Sequence, residues 1–509
     1  MQRIAIIDIG SNSARLVISH IYKNGASNMV YNQKEALRLS QKVDGNNMLT
    51  ESAFASTIET MKSFAYMCKI YRVDKTIAVA TAAIRNAYNG VDLVSRVMEE
   101  TGIQLHIISG NTEAYISYLG VINTLDVKHG IIFDLGGGST ELIYFKDRQI
   151  VDSVSLPLGA VNTTGMFNTR NEMPPNVFSD ISFFITSHLA HYPWLKQQGL
   201  PLIGVGGTAR TIAKMIQRSK KYPATKIHNY SMSVQTFRNL FAELRDTNLE
   251  QRKKISGLSK DRSDIILAGC SIINCLFDVT GSKKMITSGC GLREGLFFDY
   301  YCKAHGLPLV ADNILERSRE NILKLYTADT SHSRHITALA LSMFDGWHKL
   351  HGLSKSYRKL LETAALLHDI GITINFYSHA RHSAYMIQNA QLFGLTHKEQ
   401  LITAAIAGWH NGVSKQYFRD RFYKDILTDE DWDDVNKLAL LVALAESLDY
   451  SQTNQINNIA PYLDKRGAVI KIFADEIPSI EMQQIKSQKS WFRKTFDAEL
   501  TVELASEEK

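Results

Sequence analysis

The sequence predicts an α/β protein. Two similar lobes, each opening on a strand–turn–strand unit, precede an all-α domain and a small α+β domain. Three observations carry this. Gly130–Phe145, GIIFDLGGGSTELIYF, reads strand, glycine turn, strand: Ile131, Ile132 and Phe133 run into Asp134, Gly136, Gly137 and Gly138 turn the chain into Ser139, Thr140 and Glu141, and Leu142–Phe145 run out. Met1–Ile18 repeats the unit, with Asp8–Ser13 aligning without a gap on Asp134–Ser139. Beyond residue 303 glycine turns thin out and helical periodicity dominates.

Composition sets the bounds. A chain of 509 residues is too long for one core. Hydrophobic content of 45% and charged content of 21% are those of a globular protein. No apolar run is long enough to span a bilayer, and the N-terminus enters a strand with no signal pattern. The expectation is a cytoplasmic protein without a membrane partner. Five scattered cysteines show no metal or disulfide spacing and are read as reduced. Net charge +6 suits an anionic partner.

Residues 1–124 form the first expected lobe. After the opening hairpin, Val30–Arg38 reads as a strand. Thr50–Tyr71 is a helix, because Phe54, Ile58, Met61, Phe64 and Ala65 recur at helical spacing. Thr76–Ala80 is a buried strand running into Thr81–Arg85, and Val91–Thr101 is a helix. Leu105–Ser109 is a strand feeding a helix to about Val121. Asn111 is its expected N-cap, which puts Glu113 in the first turn near a strand's C-terminal end, where ligands gather in open α/β sheets. From spacing alone, an acid there is more often a surface group complementing the helix dipole.

Residues 125–302 form the second lobe. Val151–Leu156 extends the central hairpin, and Val177–His191 is helical. Leu202–Val205 leads into Gly206-Gly207-Thr208 at a helix N-terminus, a place that favours phosphate. Asp264–Asp278 is a helix and Lys284–Ser288 a strand. Residues 303–455 carry four amphipathic patterns, within Ile336–Trp347, Arg358–His368, Leu401–Ala407 and Val435–Leu448. Residues 456–509 read as strand Ala468–Phe473, helix Ser479–Lys489 and strand Phe496–Leu504.

The glycine turns suggest anion nests, and the flanking acids suit a magnesium-bridged phosphate. Together the motifs DIGSNS (Asp8–Ser13), ATAAIRNA (Ala80–Ala87), ISGNTEAYISYLGV (Ile108–Val121), FDLGGGSTEL (Phe133–Leu142), VGGTAR (Val205–Arg210) and SGCGLREGL (Ser288–Leu296) resemble the exopolyphosphatase / guanosine pentaphosphate phosphohydrolase family. Cys290 departs from it, standing where relatives usually carry glycine. The resemblance implies two actin-like (ribonuclease H-like) lobes and hydrolysis of a terminal phosphoanhydride with Mg2+ or a similar divalent cation. It makes Glu113 the base that deprotonates the attacking water. Glu141 is the second acid, and Asp8, Asp134 and Glu141 are the metal-binding carboxylates. Arg85 neutralises the transferred phosphoryl group. Phosphate is held by Gly10, Ser11, Asn12, Ser13, Gly136, Gly137, Gly138, Ser139, Thr140, Gly206, Gly207 and Thr208, with Arg15 and Arg38. A polyanion also needs a basic track, for which Arg210, Lys214, Arg262 and Arg293 are further candidates.

Residues 332–449 resemble an HD-type metal phosphohydrolase domain. His332 opens one helix, His368-Asp369 ends another, and Glu446 stands where the pattern carries aspartate, with Asp449 one turn later. The implied ligands of a second divalent metal are His332, His368, Asp369 and Glu446; His382 and His410 would complete a further position. The expected function is an exopolyphosphatase acting on inorganic polyphosphate, as a homodimer and without a specific nucleic-acid partner. A pppGpp 5′-phosphohydrolase is the alternative. A superfamily kinase or ATPase stands further off, because Glu113 and the LREG segment match the phosphatase branch, and a non-enzymatic nucleotide sensor is a third class.

Overall fold

A computed structural model describes residues 1–224, 226–327, 330–412, 415–419 and 426–505. The last four residues of the expected C-terminal domain lie outside the described residues. The chain forms two compact units, one of Met1–Lys23 and Ser27–Ile314, the other of Asn24–Ala26 and the residues from Leu315 onward.

The first unit holds two sheets. The first sheet is built from β1 (Gln2–Ile9), β2 (Ser13–Ile21), β3 (Ser27–Ala36), β4 (Lys75–Ala80) and β5 (Leu105–Ile107), with α1 (Glu51–Ile70), α2 (Gly90–Thr101) and α3 (Gly110–Ile122) between or after its strands. Its order is β3-β2-β1-β4-β5. β1 buries Ile4, Ala5, Ile6 and Ile7 in succession, as a strand covered on both faces must. The periodic stripe of α1 is what it buries: Phe54, Ile58, Met61 and Phe64 face the core, and Thr50 caps the helix through Ala53 N–H.

The second sheet repeats this plan. β6 (Gly130–Leu135), β7 (Thr140–Lys146) and β8 (Gln149–Leu156) form a meander, followed by β9 (Leu202–Val205), β10 (Tyr230–Ser233) and β11 (Lys284–Thr287), in the order β10-β11-β9-β6-β7-β8. β1 and β6 each pair antiparallel with the next strand and parallel with a later one, β4 and β9 respectively. The edge strand β10 was not legible in the sequence: its four residues bury only Tyr230 and Met232. Helices α4 (Gly206–Ser219), α5 (Ile266–Thr280) and α6 (Leu292–His305) belong to this lobe, with others at Ala160–Phe167, Pro175–Leu189 and Val234–Arg245.

Where the lobes join, α3 packs on α6 through glycine. A Cβ built on Gly120 would lie 2.1 Å from Gly291 O, and one on Gly295 would lie 1.8 Å from Ile116 O. Only hydrogen at these positions lets the two helices come so close.

The second unit is helical, with α7 (Ser331–Gly346), α8 (Arg358–Leu367), α9 (His379–Asn389), α10 (His397–Trp409) and α11 (Asp429–Leu448). It ends in β12 (Ile456–Leu463), β13 (Gly467–Ala474), α12 (Ser479–Phe496) and β14 (Glu499–Ala505), with sheet order β12-β13-β14. β12 is an addition to the expected strand–helix–strand; Pro461 and the burial of only Ile456 and Ile459 mark it as an edge strand with weak alternation. The helices and this sheet share one core, in which Trp347 meets Phe492 at 5.6 Å between ring centroids. No helix among the described residues is long and apolar enough to cross a membrane.

Candidate active site

The twin hairpins close on the same bond. Gly10 N–H donates to Ser13 O at 3.1 Å, and Gly136 N–H donates to Ser139 O at 3.0 Å. The tips of the two turns meet: a Cβ on Gly137 would stand 3.1 Å from Ser11 Cβ, and one on Gly138 would stand 2.9 Å from Ser11 Oγ. The glycines of the second turn therefore make room for the serine of the first. Between them lies a cleft lined by Asp8, Ser11, Asn12 and Ser13 from the first turn and by Asp134, Gly136, Gly137 and Ser139 from the second.

α3 contributes twice. Its N-cap is Ser109, whose Oγ accepts from Thr112 N–H at 3.1 Å, and not the expected Asn111. The serine lies at the end of an extended segment, as a capping residue does. Glu113 in the first turn lines the cleft, and Arg85 Nη1 donates to its Oε2 at 2.7 Å. One turn on, Ser117 Oγ donates to Asp134 Oδ2 at 2.7 Å. Sequence reading missed Ser117; its spacing of four residues from Glu113 was the available signal.

Burial governs the acids. It pushes Glu113 up to about 7 against the pull of Arg85, and Asp8 up to about 6 against Arg293 and Arg15. Burial also raises Asp134, opposed by the Ser117 hydrogen bond, and raises Glu141, reinforced by the neighbouring Glu113 charge. Glu141 stands behind the cleft lining, where its Oε1 accepts from Ser139 Oγ and Ser155 Oγ, both at 2.8 Å.

Four guanidiniums face these acids. Arg15, Arg210, Arg262 and Arg293 all line the cleft. Burial and mutual repulsion lower Arg15 to about 10 and also lower Arg210 and Arg262. An anion among them offsets both the burial and the mutual repulsion. Of the further basic candidates, Lys214 is exposed and does not line the cleft.

Several expected phosphate contacts are occupied elsewhere. Thr140 Oγ1 donates to Leu158 O, and Thr208 is buried with its methyl against Gly269. Gly138 packs on Ser11 and lies outside the lining, as does Arg85, which spends Nη1 on Glu113 and Ile108 O. Arg38, 3.5 Å from Asp264 Oδ2, is outside it too. Gly206 sits at φ +91°, where a side chain would strike Leu135 O, so the turn into α4 requires glycine there.

The acids suit a hard divalent cation: Asp8 and Asp134 offer half-buried carboxylate oxygens whose desolvation a cation would offset. Among the described residues, groups of three or more donor atoms within 4.8 Å of one another occur only in the second unit: His332, His368, Asp369 and Glu446, and Asp369, His379 and His410. The latter uses His379 in place of the expected His382. Asp449 Oδ2 lies 2.9 Å from His332 Nδ1, which fixes that ring. The Nε2 of the buried His410 has no hydrogen-bond partner.

The fold is that of a two-lobed actin-like protein with a deep, charged cleft. Residues 17–304 match the Ppx/GppA phosphatase family and residues 314–494 match Ppx/GppA phosphatase, domain III. The chain belongs to the Ppx/GppA phosphatase family, and is a phosphohydrolase with actin-like lobes, a helical domain III and a small C-terminal sheet. It is similar to the Aquifex aeolicus family member, at 29% identity and a TM-score of 0.53, over 60% of this chain and 98% of that one. It also shares the fold of an exopolyphosphatase from Cytophaga hutchinsonii, at 24% identity and a TM-score of 0.56, over 61% of this chain and 100% of that one.

Proposed function

We propose that the protein is an exopolyphosphatase that removes terminal orthophosphate from inorganic polyphosphate. The observation that supports this reading is the convergence of four arginines, Arg15, Arg210, Arg262 and Arg293, with the glycine turns on one cleft. Such a cleft suits several successive phosphates. The turn residues Gly10–Ser13, Gly136, Gly137, Ser139, Gly206 and Gly207 hold the terminal groups. Glu113 takes the proton of a water that attacks the terminal phosphorus. Arg85 occupies its Oε2, which leaves Oε1 for that water. The phosphoanhydride P–O bond breaks, and the shortened chain leaves with the electron pair on its oxygen, stabilised by the guanidiniums. Asp8 and Asp134 would hold the divalent cation, Mg2+ or similar, with Glu141 acting through Ser139 or a water. The cation supplies charge neutralisation at the phosphate oxygens.

Comparing kcat/KM on long polyphosphate and on pppGpp tests the assignment. Much faster cleavage of pppGpp would replace it with the pentaphosphate phosphohydrolase reading, and stoichiometric ADP formation with transfer to an acceptor would replace it with a kinase. A homodimer in the cytoplasm belongs to the same reading, supported by the family resemblance; sedimentation velocity tests the dimer. For the second unit we infer an HD-type divalent metal on His332, His368, Asp369 and Glu446, supported by their convergence. Metal content of the purified protein, compared with a His368→Ala/Asp369→Ala variant, tests it.

A further inference from the structure

Residues 260–264, Lys-Asp-Arg-Ser-Asp, belong to the second lobe, yet two of them pair with the first. Asp261 Oδ2 accepts from Lys34 Nζ at 2.7 Å, and Asp264 Oδ2 lies 3.5 Å from Arg38 Nη1. Lys34 lies on β3 and Arg38 two residues past its end. Between the two acids stands Arg262, one of the four cleft guanidiniums. It lies flat across the first turn of α4: a Cβ on Gly207 would be 1.8 Å from its Nη2 and 2.0 Å from its Cζ. Gly207 is thus a seat for Arg262 as much as a phosphate-facing amide.

The strand register explains why Lys34 reaches this far. Asp8 pairs with Arg15 across β1 and β2, and Arg15 pairs with Lys34 across β2 and β3. Residues directly opposite in neighbouring strands share a face. One row of the first sheet therefore runs from the cleft acid through a cleft arginine to Lys34, which ends on Asp261 in the other lobe. Isolated surface ion pairs do little. Two of them bracketing one cleft residue, both joining opposite lobes, restrain that residue against the helix end.

We propose that Lys34 and Asp261 are positioning residues, tethering residues 260–264 across the lobes so that Arg262 is held over the phosphate chain at the first turn of α4, with Arg38 and Asp264 as a second tether. This rests on the phosphate reading of the cleft. The tether is half-exposed and screened by salt, so it yields as product leaves or the chain advances.

The test joins orthophosphate-release kinetics on polyphosphate to hydrogen exchange of the peptide covering residues 258–266 in the full chain. Lys34→Ala and Asp261→Asn are each expected to raise KM about two- to fivefold, the reach of a surface ion pair, with kcat falling less. The charge swap Lys34→Asp/Asp261→Lys restores KM. Arg262→Ala raises KM at least about tenfold, as a lost charge-assisted contact does, and adding Lys34→Ala to it changes nothing more. Exchange at 258–266 quickens in Lys34→Ala and slows again in the swap. An unchanged KM in Lys34→Ala, an equal further loss on the Arg262→Ala background, or unchanged exchange would each overturn the tether. If the wild-type protein releases no orthophosphate from polyphosphate or pppGpp, the phosphate reading fails, and the exchange measurement still decides the tether.

Discussion

Glu113 shows how one residue changes meaning with context. In sequence it is an acid in the first turn of a helix, a common surface placement. In the fold it is buried, bound to Arg85 and raised to about 7. A base near neutrality accepts a proton readily while staying substantially ionised. Glu113→Gln is therefore expected to lower kcat by about 10²–10⁴-fold with KM largely kept, measured by orthophosphate release. With Glu113 in its proposed role as base, active only when deprotonated, kcat/KM should rise with pH through about 7. Arg85 holds the carboxyl down, so Arg85→Ala should move that limb to higher pH in a pH–rate profile. The three glycine turns and the acids of the motifs were legible because their residue types are scarce and their spacing is fixed. Ser117 and Ser155 were not, since a serine carries no signal until the fold shows which carboxylate it meets.

At the scale of elements, long periodic segments were the legible ones. The stripe of α1 and the two hairpins needed no tertiary information. β10 and β12 needed it, because an edge strand of few buried residues gains its stability from its neighbour's ladder rather than from its own pattern. The contact of α3 on α6 also lay outside sequence reasoning, although its agents, Gly120 and Gly295, stand in recognised motifs. Gly295→Ala would place a methyl against Ile116 O. It should cost about 1–3 kcal/mol in chemical denaturation. It should also lower phosphate release, because α3 carries both Glu113 and Ser117.

The whole molecule keeps its active-site acids at a cost to stability. Glu113 and Asp8 sit at about 7 and 6, raised by burial from 4.5 and 3.8. A group whose pKa is raised on folding stabilises the chain below its unfolded value, and that contribution is lost as pH climbs through the folded value. Metal-free protein should therefore lose on the order of a few kcal/mol between about pH 4 and pH 7. Adding Mg2+ at pH 8 should restore part of it, since the cation binds the ionised carboxylates. Denaturant midpoints with and without Mg2+ check both statements. The arrangement of the second unit has a different consequence. Trp347 Nε1 donates to Tyr462 O, and Gly346 lies against Pro461. A ribosome that has made the chain only as far as Asp449 has synthesised every histidine of the helical unit but none of the strands that cover it. Those side chains have a finished interior only once the strands and helix of residues 456–505 have been made, which ties the order of translation to the order in which this unit can close its core.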